Sequence, residues 1–347
     1  MAYTTIDDPG LYFNTVLYTG DIVDGDGSGH TLAITGVGFG PNLVWHKCRS
    51  AGQPHLIVDT VRGTSSYNFL KSSETGAEVT ANVNGAIKTI DSDGITVEAG
   101  TDSSSKSNVA GADGFTYAFW NWKESATAGF DIVAYTGNGT DDTDISHSLS
   151  AVPHLILVKN RDTDSTSWIV YHHRLSASPE ENGLYLDANN AIIDTTTYWS
   201  DEAPTSSVFT LGTNNDVNDN TKNMIAYAWS EKQGFSKFGS YTGNGNADGA
   251  FIYTGFRPAW LSLKRTDSTS QWKINDNKRL GYNPATSDLY ADSNEAENTV
   301  TQVDFLSNGF KQRSTDAAGN GSGVSFIYIA FAEAPFVNSN GVPCNAR

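Results

Sequence analysis

A chain of 347 residues with 39 acidic and 22 basic side chains carries a formal net charge of −17, which repels nucleic-acid phosphates and anionic membrane surfaces alike. Its two cysteines, Cys48 and Cys344, exclude a disulfide framework and a cysteine-rich zinc site. No apolar run approaches the ~18 residues of a membrane span and no stretch has the form of a Sec signal peptide, so the chain is expected to be made in a cytoplasm and, if it works outside the cell, to leave by another route such as lysis.

An arm, Met1–Pro9, precedes the first regular segment. Tyr18-Thr19-Gly20 then opens a pattern that recurs as Tyr135-Thr136-Gly137-Asn138-Gly139 and Tyr241-Thr242-Gly243-Asn244-Gly245. In each segment a proline heads an apolar run that ends in lysine six residues later: Pro41 and Lys47, Pro153 and Lys159, Pro258 and Lys264. Fifteen residues after each lysine stands an arginine: Arg62, Arg174 and Arg279. The segments close with an aromatic residue two positions before a glutamate: Trp122 and Glu124, Trp229 and Glu231, Phe331 and Glu333. A repeat of this period predicts three small domains rather than one large fold. Their bounds are 1–125 with the arm, 126–232, and 233–347 with a tail from Val337.

Within the copies, short runs rich in β-branched and aromatic residues lie between Gly, Asn, Asp and Ser clusters, as strands do. In the second copy the spacing predicts strands near 130–136, 144–149, 153–159, 166–173, 182–187, 191–195, 206–211 and 223–230. The fold class is therefore all-β, with three tandem antiparallel β-sandwiches of jelly-roll-like character. Glu295-Ala296-Glu297 is the closest approach to a helix, at most one turn. The Asn-Gly pairs 138–139 and 244–245 supply the positive φ of a tight hairpin turn. The joints Lys123–Gly129 and Lys232–Gly234 are short, so the copies lie close together. A rod with nearest-neighbour stacking is the favoured array, with Met1–Pro9 as its docking end; a threefold disc is the alternative. The first copy is the irregular one. It has an insertion at Asp21–His30 and a long polar stretch at 100–114. Copy-specific loops of this kind are better binding candidates than the shared motif.

A residue that recurs in every copy is scaffold before it is active site. Lys47, Lys159 and Lys264 with Arg62, Arg174, Arg279, Glu124, Glu231 and Glu333 are therefore read as structural, the arginine and glutamate of each copy forming an ion pair. Asp21, Asp24 and Asp26 form an oxygen-rich loop of the sort Ca²⁺ takes, but EF-hand spacing is absent and solvated acidic turns are the plainer reading. The histidines show no metal-ligand spacing. No G-x-S-x-G elbow, H-E-x-x-H, P-loop or Rossmann fingerprint occurs, so no catalytic residue and no cofactor is assigned. Tyr67, Tyr198-Trp199 and Tyr282 sit in loop-like contexts. Tyr198, Trp199 and Tyr282 are the candidates for stacking on a sugar, a loop plug under the sandwich being the alternative for Tyr198 and Trp199.

The repeat resembles a known family. Ala2–Gly20, Met224–Gly245, Phe251–Lys264 and Phe326–Phe336 are similar to stretches of proteins encoded by marine tailed bacteriophages, whose repeated unit is a domain of unknown function with a concanavalin-A-like sandwich. The resemblance implies a virion protein, an appendage or fibre component supporting host attachment, with surface glycan as a candidate ligand. Its partners would be other virion proteins, and it would be oligomeric on the particle, with no nucleic acid and no membrane insertion. A capsid or tail decoration protein is the second expectation and a carbohydrate-active enzyme the third.

Overall fold

The computed structural model describes residues 3–23, 29–64, 67–102, 109–279 and 281–344. The first copy carries β1 (Phe13–Thr19), β2 (Thr31–Thr35), β3 (Leu43–Cys48), β4 (Leu56–Asp59), β5 (Ala86–Asp91), β6 (Gly94–Glu98) and β7 (Thr116–Trp122). The second carries β8 (Phe130–Thr136), β9 (Thr143–Ser146), β10 (Leu155–Asn160), β11 (Ile169–His172), β12 (Asn182–Tyr185), β13 (Ile193–Asp194), β14 (Val208–Leu211) and β15 (Asn223–Trp229). The third carries β16 (Ser236–Thr242), β17 (Phe251–Tyr253), β18 (Phe256–Arg265), β19 (Lys273–Asp276), β20 (Ala285–Tyr290), β21 (Asn298–Leu306), β22 (Gly309–Gln312) and β23 (Ser325–Pro335). The α-helices are single turns, α1 (Asn215–Asn218) and α2 (Ala317–Asn320). Glu295–Glu297 is not helical.

Each copy pairs its first strand with its last, and its proline-to-lysine strand lies on the other side of the last. The orders are β1-β7-β3-β4, β8-β15-β10-β11 and β16-β23-β18-β19, all antiparallel. The remaining strands, including β2-β6-β5, β9-β14 and β21-β22-β17, cover one face of these sheets. The Tyr-Thr-Gly repeat is the corner where the chain leaves the first strand for this cover, rather than a hairpin turn. Gly20, Gly137 and Gly243 let two backbones meet: an added Cβ would lie 2.2, 2.2 and 2.4 Å from the carbonyl oxygens of Ala112, Asp219 and Gly321. The tyrosine hydroxyls donate to the carbonyls of Ala110, Val217 and Gly319. Gly139 and Gly245 do take the positive φ read from the sequence, 68° and 67°.

The strand β3 reads Leu-Val-Trp-His-Lys-Cys and is buried at every position. Side chains alternate across a strand, so both faces of this sheet must be covered. Val44 faces the cover of its own copy with Leu56, Val58, Phe119, Ile95 and Val97. Ile156 and Val158 do so with Phe209 and Leu211, and Leu261 and Leu263 with Val303 and Phe305. Leu43, Trp45 and Trp122 point the other way. There they join Leu155, Leu157, Trp229, Trp260, Ile329 and Phe331 in one cluster drawn from all three copies. Trp122 meets Trp229, Trp260 and Phe331 with ring centroids 6.3, 5.9 and 5.5 Å apart. The favoured rod is thus corrected: the copies close around a common apolar centre, because the second face of each inner sheet has no other way to leave water.

The seams between copies repeat in cyclic order. Lys47 of the first copy donates to the carbonyls of Gln53 (2.5 Å) and of Asn294 in the third (3.0 Å). Lys264 of the third donates to Ser270 (2.7 Å) and to Asn189 in the second (3.2 Å). Lys159 of the second donates to Thr166 (2.6 Å) and to Thr75 in the first (3.2 Å). A second ring runs beside it. His55 Nε2 meets the carbonyl of Tyr290, Trp272 Nε1 donates to that of Tyr185, and Trp168 Nε1 donates to that of Lys71. A third is backbone only: Glu297 N to Arg49 O, Ile192 N to Thr266 O, and Glu78 N to Arg161 O. Each lysine therefore closes the end of its strand onto a loop of the neighbouring copy.

The arginines take partners other than those the repetition suggested. Arg62 is fully buried on Asp59 (2.5 Å) and reaches Glu78 (2.6 Å), which also holds Arg161 of the second copy (2.8 Å). Arg279 is buried on Asp276 (2.6 Å) and reaches Glu297 (3.2 Å), which also holds Arg49 of the first copy (2.9 Å). Tyr227 of the second copy and Trp120 of the first donate to Asp59 and Asp276. In the second copy His172 takes the aspartate's place opposite the strand, facing Leu155 as Asp59 faces Leu43, and the Arg174 backbone N–H donates to its Nδ1. The changes there are concerted: Ile192 stands where the other seams have Glu78 and Glu297, and Ile329 where they have Tyr227 and Trp120. The repeated glutamates do another task. Glu124 accepts the backbone N–H of Ile132, and Glu231 that of Phe238, so each pins the first strand of the next copy. Glu333 instead binds Arg257 and Asn277.

The arm, expected as a docking end, is packed into the fold. Ile6 is buried in the common cluster, Thr4 Oγ1 donates to Gln233 O (2.7 Å), and Tyr3 OH donates to Gly255 O (2.8 Å). Asp7 accepts from Ser339 N (2.6 Å) in the tail. These contacts join the first copy to the third, where no peptide linker does. Removing residues 1–9 should therefore lower stability, by ~1.5–3 kcal/mol from Ile6 alone; an unchanged urea midpoint would show that the arm is not part of the core.

The lysines set a pH dependence. Burial pulls each ammonium down to about 8, against an unfolded value of ~10.4. Between these values the unfolded chain binds more protons, so stability should rise with pH, at up to ~1.4 kcal/mol per unit for each lysine. Burial raises the Cys48 thiol, which opposes this in part. Above pH ~10 the trend reverses, because burial holds Tyr18, Tyr135, Tyr227 and Tyr241 neutral. Chemical denaturation from pH 7.5 to ~10 checks the sign, and Lys159→Met should remove about one third of the slope.

Candidate functional site

The aromatic candidates fall in different places. Tyr198 and Trp199 are buried, at 3% and 1% exposure. The Tyr198 hydroxyl donates to Tyr185 (3.1 Å), Trp199 Nε1 donates to Asn182 O (3.0 Å), and Trp199 packs edge-on against Tyr171. They plug the second sandwich and cannot stack on a ligand, which corrects their assignment as contacts. Tyr282 is 87% exposed, beside Asn283, whose amide pairs with both backbone groups of Phe305. It is a single ring at the edge of the third copy. Asp21 is exposed; Asp24 and Asp26 lie outside the described residues. Among the described residues no group of three or more His, Cys, Asp or Glu side chains is placed to hold a metal ion. His154 and His173 do meet, ring centroids 4.5 Å apart. Burial pulls His154 down to about 4 and His172 down to about 3, so both are neutral; His172 Nε2 meets the carbonyl of Tyr328 in the third copy.

A candidate site lies in the irregular first copy. A cleft of about 450 Å³ is lined by Gly29, Tyr67, Thr80, Ala81, Asn82, Glu98, Ala99 and Thr101. Its size is that of a small-molecule site, ~300–1,000 Å³. Gly29 belongs to the insertion and Thr101 to the long polar stretch, so the cleft sits where the first copy departs from the others. Glu98 ends β6, and its two oxygens accept from Tyr67 OH (2.5 Å) and Lys88 Nζ (2.9 Å). Burial pushes this carboxyl up, and the two donors outweigh it, holding it below its ordinary value. It is thus a carboxylate at neutral pH. Asn82 Nδ2 donates to Ala99 O (2.9 Å), which fixes the amide, while its buried Oδ1 has no protein donor. The hydroxyls of Thr80 and Thr101 complete the rim.

Tyr67 is held by its backbone. Its φ is 56°, a region a bulky side chain rarely adopts, and the other described non-glycine residues with positive φ are Asp, Ser and Thr. Its N–H donates to Thr64 O (2.9 Å), its ring packs against the first sandwich core, and its hydroxyl is tied to Glu98. A second groove of about 330 Å³ adjoins the cleft through Ala81, floored by Phe69, Val79, Val83 and Val109. Sequence reasoning marked the insertion, the polar stretch and Tyr67 as loop features, but not Glu98 or Asn82. These two are met only once β6 and the 79–85 segment come together.

The lining offers acceptors, hydroxyls and one aromatic ring. Among the described residues it holds one carboxylate, Glu98, which is ionised and paired with Lys88. No curated protein and no solved structure matches the chain. A family model does, from residue 8 to residue 335, across all three copies and their shared centre. The chain belongs to that family, described as Domain of unknown function (DUF7483).

Proposed function

We propose that this protein is a surface component of a phage particle, an appendage or fibre part that supports attachment to the host. One observation carries the reading. The features repeated in all three copies serve corners, seams and core, while the copy-specific loops of the first copy form a cleft with binding chemistry. That division suits a rigid body which displays one recognition site. The resemblance of Ala2–Gly20 and Phe326–Phe336 to proteins of marine tailed phages supplies the particle. Its neighbours there would be other virion proteins. The net charge of −17 disfavours nucleic acid as the partner.

A second reading, a capsid or tail decoration protein, is favoured by the closed ring of copies, which is compact where a fibre is extended. Cryo-electron microscopy of particles carrying the protein, with antibody labelling against the first copy, separates the two. Density at the tail tip or fibres is expected for attachment, and density spread over the capsid for decoration. A protein missing from purified particles would sink both.

A further inference from the structure

We infer that the Tyr67–Glu98 cleft of the first copy is a saccharide site, and that its ligand is a neutral, hydroxyl-rich sugar. The inference rests on the reading of the chain as an attachment component and names the contact it would make. Three features of the cleft point the same way. The first is its hydrogen-bonding balance. Glu98 has lone pairs beyond those used by Tyr67 and Lys88, and Thr80 and Thr101 line the same cleft with hydroxyls. A ligand with several hydroxyl donors satisfies these where an apolar ligand would leave them unmet. The second is the aromatic ring. Tyr67 is locked at φ 56° and by its bond to Glu98, and strain of this kind at a cleft wall marks a residue whose position is specified. A tyrosine offers an apolar face to C–H groups and a polar tip to hydroxyls, which matches the two surfaces of a sugar. The third is charge. Among the described residues the lining holds one carboxylate, Glu98, paired with Lys88, and no basic side chain, and the chain as a whole is acidic. An anionic glycan would meet the Glu98 carboxylate and find the neighbouring Lys88 and Lys71 already paired with Glu98 and Glu74, so the neutral class is favoured. The adjoining groove with its apolar floor would take a further unit of an oligosaccharide.

Saturation-transfer NMR on the full chain tests this. The probes are neutral gluco-, galacto-, manno- and N-acetylglucosamine oligosaccharides, with a sulfated oligosaccharide as the anionic arm. At least one neutral probe should receive saturation, with a dissociation constant of about a millimolar or below. Tyr67→Gly and Glu98→Gln should each weaken it about tenfold or more, and Tyr282→Ala should leave it unchanged. Glycine is the residue that suits φ 56°, so Tyr67→Gly removes the ring while sparing the backbone, and an unchanged urea midpoint confirms that it folds. Binding of the sulfated probe alone, no binding by any neutral probe, or binding unaltered in both cleft variants would overturn the inference. Particle location is read separately: a protein absent from virions that still binds through the cleft would overturn the attachment role and leave the saccharide site standing.

Discussion

The burial of both faces of the inner sheets is the constraint on which the rest of this structure depends. A sandwich needs one apolar face, and β3, β10 and β18 have two. The first face meets the cover strands of the same copy. The second can leave water only against the same face of another copy, and three such faces close on one another around Trp122, Trp229 and Trp260. Each copy has its own core and a share in a common one.

Closure of that kind creates a polar problem at the rim, where strand ends and loops of neighbouring copies are buried together. Backbone carbonyls there must find donors or lose the hydrogen bonds that water gave them. A lysine at the end of each inner strand reaches both its own loop and that of the neighbour. Its long stem lies along the apolar sheet while its three donors serve carbonyls. The depressed lysine values are the electrostatic trace of this arrangement, since neutral carbonyls offset only part of the desolvation of a cation. Where Arg62 and Arg279 are buried, aspartates and glutamates balance them across the seams. Where the second copy has His172 in place of the aspartate, Ile192 replaces the glutamate and Ile329 the donor. An unpaired buried charge is costly, so these positions change together.

The division between scaffold and site follows. The seam lysines are kept in all three copies, and other seam positions change only where their partners change with them. Loops away from the seams are free, and the first copy uses them: Gly29 of its insertion, Thr101 of its polar stretch and Thr80–Asn82 line a cleft that touches no seam lysine. Tyr67, in a conformation that most residues avoid, belongs to the same set. Loops of this type tend to carry function because a rigid body positions them.

Strand positions were legible in the sequence because a strand declares itself locally, through β-branched and aromatic runs between turn residues. The expected 130–136 and 223–230 are Phe130–Thr136 and Asn223–Trp229. The scaffold role of the repeated lysines was also legible, since repetition itself carries it. The partners of Arg62 and Arg279 were not. Glu78 lies sixteen residues after Arg62 and Glu297 eighteen after Arg279, in loops of unequal length, so no constant spacing betrays them. The same holds for Tyr198 and Trp199, whose loop sequence looks exposed until Tyr171 and Asn182 close over it. By itself the sequence determined the all-β class, the three copies and the residues held in common. Only the tertiary structure decided that the copies form a ring rather than a rod, and which acidic groups meet which basic ones. A strand's apolar pattern states that a face must be buried and says nothing about what buries it.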